Sequence, residues 1–326
     1  MVAIQLARGV AAELFPGYGF PVSEEEKAAV HHLVMVDPDS YQSRVFDRAV
    51  MRGDGFFEAI SVIDGKIPVS LDLHLARLEH NAKALDMPIP DEKAFHEACE
   101  ELIAHYSGGH DDPMLRILIS RGADPGTGVG RRHHPGMPSI WMYLDGEGEK
   151  HETTPLRMVS LSAGRDSRVA KNSPWLMLGL KTLSYVVNMA TARAAERMGY
   201  DDALFITTDG YCLESPHANI VAKFGDTWVT PDPVIGVLHG TSQRELFAYV
   251  RRLGKITRYQ DLPVEELKKA DEVYQTRGGW VIPVKSLDDT EFAVNTEFVK
   301  QANHAIHYEQ EAQQAEWAHD NYQPTR

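Results

Sequence analysis

The sequence predicts an α+β fold in which two units each combine strands and helices around a mixed sheet. Three observations predict it. Strand-like and helix-like segments succeed each other irregularly, without the strict β-α-β alternation of a doubly wound parallel sheet. At 326 residues the chain is long enough for two ordinary domains. An acidic, glycine-containing stretch at 145–152 has the composition of a linker and marks the expected boundary.

Residues 1–40 read as an N-terminal extension of mixed polarity with a Pro16-Gly17 turn. A small α/β domain is expected over 41–145. Residues 45–50 and 56–63 are rich in β-formers and predict two strands. Asp64-Gly65 marks a hairpin turn, because glycine takes positive φ freely, and 66–70 returns as a third strand. From Leu71 the period changes. Leu71, Leu75, Leu78, Ala82 and Leu85 recur at helical spacing, so one apolar stripe faces a core up to the break at 86–90. A second helix is expected over 91–106, a buried strand over 114–120, a long Gly- and Pro-rich loop over 122–136 and a strand over 139–144.

A larger domain over 153–302 opens with a strand at 156–161 and a helix at 182–198. Strands at 203–207, 211–214, 220–224 and 228–230 are separated by Asp209-Gly210 and Gly225-Asp226. A helix starts near Ser242, where Ser242 and Glu245 fit a capping box. Strands near 272–276 and 280–284 close this half, and a polar helix runs towards 318, with 303–326 read as a polar helical tail.

Composition narrows the function. With 43% hydrophobic and 25% charged residues the chain has the profile of a soluble protein with a sizeable core. No apolar run approaches the roughly 20 residues of a membrane helix, and residues 1–20 lack an uninterrupted signal-peptide core. The formal charge of −14, from 47 acidic against 33 basic residues, disfavours nucleic acid and anionic membranes as partners. Two cysteines, Cys99 and Cys212, exclude a disulfide framework and point to a reducing cytoplasm. The pairs His31-His32 and His133-His134 offer no zinc spacing, so no metal is expected. Gly126, Gly128 and Gly130 do not form a dinucleotide fingerprint, and neither a nucleophile elbow nor a P-loop occurs.

Four features could carry chemistry. Lys181 stands among Leu178, Leu180 and Leu183, and an apolar setting favours the neutral amine that carbonyl chemistry needs; a solvated lysine is the commoner alternative. Glu214 precedes Ser215-Pro216, either as a charge partner at a cleft rim or as a carboxylate facing water. Gly240-Thr241-Ser242 opens a helix, whose free N–H groups can hold a phosphate or simply be capped. Arg77 lies off the leucine stripe beside His74 and Asn81, as an exposed arginine or a phosphate clamp.

Together with their neighbours these residues form a recognisable series. Arg52-Gly53-Asp54-Gly55-Phe56-Phe57-Glu58, His74-Leu75-Ala76-Arg77-Leu78, Lys181-Thr182-Leu183-Ser184-Tyr185, Gly210-Tyr211-Cys212-Leu213-Glu214 and Gly240-Thr241-Ser242 occur in register. In order and spacing the chain resembles the class IV aminotransferases, the fold-type IV enzymes that use pyridoxal phosphate, from about residue 46 to 287. The stretch 181–190 is most similar to 4-amino-4-deoxychorismate lyases of actinobacteria.

The resemblance implies a small α/β domain, a larger pseudo-barrel domain and a homodimer acting on a small-molecule amino substrate. It implies that Lys181 binds the cofactor covalently and shuttles protons, and that Glu214 faces the pyridine nitrogen. It further implies that Arg77, Thr241 and Ser242 hold the phosphate and that Tyr185 approaches the ring hydroxyl. Phe57 and Glu58 would line the substrate side, with Thr276 and Arg277 at the substrate carboxylate. Ser184, the Pro216-His217 pair and the 122–136 loop depart from the family pattern and bear on the substrate rather than on the cofactor. Two activities fit: a lyase forming 4-aminobenzoate and pyruvate, and a transaminase of branched-chain or D-amino acids. Glu58 leans to the transaminases, and 181–190 to the lyase. A non-catalytic relative would lack the lysine or the glutamate, and both are present.

Overall fold

The computed structural model describes residues 2–6, 33–36, 47–88, 91–108, 111–122, 138–145 and 153–310. The chain divides into two compact units, Met1–Glu149 with Lys181–Ser184, and Lys150–Leu180 with Tyr185–Arg326.

The first unit contains β1 (Val2–Leu6), β2 (Leu33–Val36), α1 (Arg48–Arg52), β3 (Gly55–Ile63), β4 (Ile67–Pro68), α2 (Leu71–Ala84), α3 (Glu92–Ala104), β5 (Met114–Ser120) and β6 (Ser139–Asp145). Its strands form a six-stranded antiparallel sheet in the order β2-β1-β6-β5-β3-β4. Along β6, Ile140, Met142 and Leu144 are buried while their neighbours are only half-buried, the period of two expected of a strand with one face on a core. Leu75, Leu78 and Ala82 of α2 and Phe95, Cys99 and Leu102 of α3 close that core. Each leucine so covered contributes about 1.5–3 kcal/mol.

The sequence reading differs from this unit in two places. Residues 48–52 are helical rather than extended, because Asp47 Oδ1 accepts the Ala49 N–H at 2.8 Å and Gly53, at φ 67°, closes the far end. Caps at both ends outweigh the β-propensity of the segment. The segment read as an extension supplies β1 and β2, and β1 pairs with both β2 and β6.

The second unit contains β7 (Leu156–Ser162), α4 (Val169–Asn172), α5 (Val186–Arg197), β8 (Asp202–Ile206), β9 (Asn219–Phe224), β10 (Thr227–Thr230), α6 (Thr241–Arg252), β11 (Ile256–Tyr259), α7 (Val264–Leu267), β12 (Glu272–Arg277), β13 (Trp280–Leu287), β14 (Thr290–Glu291) and α8 (Thr296–Tyr308). The sheet runs β11-β10-β9-β12-β13-β7-β8, with β14 on β13. It is mixed, being parallel where β10 meets β11, β13 meets β7 and β7 meets β8. Its core gathers Met158, Leu204, Ile220, Val229, Leu262, Val273 and Val284.

Here the sequence foresaw neither β11 nor α7. Residues 182–185 are not helical, and α5 begins only at Val186. Residues 211–214 form no strand; they join β8 through an Ile206–Cys212 bridge and backbone bonds from Phe205. No break falls at residue 303, since Asn303 and His307 are buried members of α8, and Asn303 accepts the Val281 N–H at 2.6 Å. The 122–136 loop beyond residue 122, the linker beyond 145 and the tail beyond 310 lie outside the described residues, as do both histidine pairs. Among the described residues no helix is long and apolar enough to cross a membrane.

Candidate active site

The candidate residues fall in both units, and each group is built within its own. In the first unit β3 carries β5 along one edge. At its start the other edge is occupied by 181–183: the Phe57 N–H donates to the Lys181 carbonyl at 3.0 Å, and the Leu183 N–H to the Gly55 carbonyl at 2.9 Å. This pairing is why the segment is extended where its apolar run suggests a helix. It places Nζ of the half-buried Lys181 4.4 Å from the centroid of the Phe57 ring, a cation–π contact.

Beside them lies a buried ionic cluster. Arg77 donates from Nε to Glu58 Oε1 at 2.7 Å and from Nη2 to Oε2 at 2.6 Å, a bidentate pair. His74 Nδ1 lies 2.6 Å from Glu58 Oε2. Burial pushes the Glu58 carboxyl up, but the charge and hydrogen bonds of Arg77, with those of His74, outweigh it and hold it at about 2. For His74 burial is the largest influence; with the Arg77 and Lys181 charges it outweighs Glu58, so the imidazole is held neutral and Nδ1–H is the donor.

Two sequence expectations are revised by this cluster. Arg77 is only 4% exposed, so the reading as a solvated helix arginine fails. Glu58, expected on the substrate side, has no exposed surface and both oxygens engaged, so it serves Arg77 and His74 rather than a substrate.

In the second unit Glu214 Oε2 accepts the Leu238 N–H at 3.0 Å and the Asn219 Nδ2–H at 3.3 Å, while Asn219 Nδ2 also donates to the Leu238 carbonyl at 2.6 Å. The charge of Arg165 acts on this carboxylate, and the guanidinium is anchored on the carbonyls of Ile235 and Gly236. Tyr185 Oη donates to the Pro216 carbonyl at 3.0 Å, which also accepts from Asn188 Nδ2 at 2.7 Å. The Tyr185 and His217 rings are 5.4 Å apart, so the Pro216-His217 pair anchors Tyr185.

The helix α6 starts at Thr241 with Gly240 as its N-cap and no side-chain cap. Ser242 therefore lies inside the helix, and the capping box expected there does not form. Its Oγ instead accepts the Gly279 N–H at 2.7 Å. Gly278 and Gly279 have φ 53° and 81°, the double positive φ that a two-residue hairpin between Arg277 and Trp280 requires. That turn is tied to the first turn of α6, and just before it sit the half-buried Arg277 and Thr276, which is 2% exposed with Oγ1 unpartnered. A helix N-terminus without a cap and a buried hydroxyl without a partner are groups a phosphate would complete, so the residues fit a phosphate-bearing cofactor.

Sequence reasoning missed His74, Asn219 and Arg165. His74 had a signal in its i, i+3 spacing to Arg77 on one helix, and Asn219 in its place five residues after Glu214, but Arg165 had none.

The family model for amino-transferase class IV matches residues 55–287. The bifunctional aminodeoxychorismate lyase / D-amino acid transaminase of Mycobacterium tuberculosis is 31% identical over 74% of this chain and 82% of its own. A fold IV-transaminase from Curtobacterium pusillum superposes with a TM-score of 0.82 at 32% identity, covering 94% of this chain and 99% of that one. The PLP-bound form of a hypothetical aminotransferase from Mycobacterium tuberculosis does so with a TM-score of 0.76 at 27% identity, over 85% and 97% of the two chains.

Proposed function

Since the chain belongs to the class IV aminotransferases, enzymes that use pyridoxal phosphate, we propose that it is a 4-amino-4-deoxychorismate lyase releasing 4-aminobenzoate and pyruvate. The observation that carries this reading is Arg277, next to Thr276 at the Gly278-Gly279 turn. The fork of an arginine pairs with carboxylates, and 4-amino-4-deoxychorismate carries two, where alanine or valine carries one.

Bound pyridoxal phosphate supplies an electrophilic carbon for the substrate amine and a ring that accepts the electrons of the broken bond. Lys181 would hold the cofactor, and its amine, beside the Phe57 ring, would take the proton from the carbon that bears the substrate's amino group. The ring C–O bond then breaks, the enolpyruvyl fragment leaves and is protonated to pyruvate, and the six-membered ring becomes aromatic. Glu214, fixed by Leu238 and Asn219, would hold the proton at the pyridine nitrogen. Arg77, Thr241 and Ser242 would hold the phosphate, Thr276, expected at the substrate carboxylate, would turn its unpartnered Oγ1 to the phosphate instead, Tyr185 would address the ring hydroxyl, and Phe57 packs beside the reactive amine.

A second reading, D-amino acid transamination, is favoured by one observation: the relative from Mycobacterium tuberculosis bears both names. Both reactions begin with the same proton abstraction. Incubation of the holoenzyme with 4-amino-4-deoxychorismate, and separately with D-alanine and α-ketoglutarate, separates them. Pyruvate in step with fluorescent 4-aminobenzoate supports the lyase; amino transfer alone overturns it. Arg277→Ala is expected to raise KM for the dicarboxylate about tenfold or more, the loss of one charged hydrogen bond, and to leave D-alanine unaffected.

The assembly proposed is a homodimer. Trp175, at 70% exposure, and Val186, at 73%, stand with Leu176, Val187 and Met189 as exposed large apolar side chains of the second unit, surface that a partner copy would cover. Light scattering on the eluting protein tests this, with Val187→Lys expected to shift it towards monomer.

A further inference from the structure

Inside the first unit His74 is a buried titratable group to which the proposed chemistry gives no task. It leaves α2 three residues before Arg77, so both side chains issue from one face of the helix. Glu58 enters from β3 and joins them, and the three side chains are 0%, 4% and 5% exposed for Glu58, His74 and Arg77. A bidentate pair fixes the plane of a guanidinium only as firmly as the plane of its carboxylate is fixed. The last torsion of a glutamate side chain is broad and soft, so the carboxylate of Glu58 needs a further hold. The Nδ1–H of His74, 2.6 Å from Oε2, is that hold.

We propose that His74 is a positioning residue which, through Glu58, fixes the guanidinium of Arg77 in the orientation that binds the cofactor phosphate. This rests on the phosphate role proposed above for Arg77. His74 touches neither substrate nor cofactor in this scheme.

The test compares the affinity of the cofactor-free protein for pyridoxal phosphate and for pyridoxal, which has no phosphate, read by quenching of tryptophan fluorescence. His74→Leu is expected to weaken pyridoxal phosphate about tenfold, as loss of an oriented charged contact does, and pyridoxal by less than about twofold. His74→Asn, whose amide N–H can stand near the place of Nδ1–H, is expected to restore the phosphate preference. Equal weakening of both ligands by His74→Leu would make the residue a packing element and overturn the proposal. Arg77→Gln separates the two layers. If it abolishes the preference while His74→Leu keeps it, the role of His74 falls and that of Arg77 stands. If Arg77→Gln keeps the preference, the phosphate reading falls, and this inference with it. Should His74→Leu not fold, His74→Gln, whose amide overshoots the Nδ1 position, carries the same comparison with the same two outcomes.

Discussion

A lysine that carries a cofactor must return to one place after each turnover, and the backbone of Lys181 is held by main-chain bonds to β3 that no side-chain change removes. Lys181→Ala is therefore expected to fold with an unchanged melting temperature yet to hold no borohydride-fixed cofactor by mass spectrometry; a fixed adduct in the variant would move the anchor to another lysine. Asn81 poses the opposite case. It is fully buried on α2 and neither Oδ1 nor Nδ2 has a partner. Each such group costs about 1–3 kcal/mol of lost hydration. Asn81→Leu, which keeps the branch at Cγ and removes both polar atoms, is expected to raise stability by about 1 kcal/mol in urea unfolding, the two hydration penalties outweighing the cost of its larger volume. A fall instead would mean that the amide has a bonding role.

Among elements, the start of α6 concentrates the constraints. A Cβ on Gly240 would lie 1.8 Å from Asn219 Oδ1, and Asn219 holds Glu214. Gly240→Ala is thus expected to push Asn219 aside and cut kcat about tenfold or more, roughly what one charged hydrogen bond is worth, with cofactor still bound; wild-type kcat would show that the contact relaxes harmlessly. The legibility of elements followed the range of the forces that make them. The leucine stripe of α2, the apolar run of β6 and the Asp64-Gly65 turn are local, and all three could be read. The extended 181–184 segment could not, because its partner, β3, lies over 120 positions earlier in the chain. The helix at 48–52 is legible only in its caps, Asp47 and Gly53, while the residues between them favour a strand. At the site, the residue types at 77, 181 and 214 could be recognised. The task of Glu58 could not, since His74 and Arg77 meet it only after α2 packs on β3.

For the whole molecule, acid is the informative perturbation. The folded Glu58 carboxyl sits at about 2, below its unfolded 4.5, so its contribution is complete above about pH 4.5 and is lost as pH falls towards 2. Asp209 adds to the same window, held near 2 by Thr207 and Ser167. His74 is lowered from 6.5; unfolding lets it take a proton, so its contribution also declines as pH falls below about 6.5. The melting temperature is expected to drop gently from pH 6.5 and steeply from pH 4.5, and Glu58→Gln to flatten the steep part; an unchanged slope in that variant would assign acid lability elsewhere. The loan of 181–184 to the first unit has a further consequence, in the time order of synthesis. Residue 149 leaves the ribosome some 32 residues before Lys181. At about 5–20 residues per second the nascent sheet waits roughly 2–6 seconds with the start of β3 uncovered on one side. During that wait the bare edge is a template for other chains, so the residue that anchors the cofactor also ends the protein's exposure to misassembly.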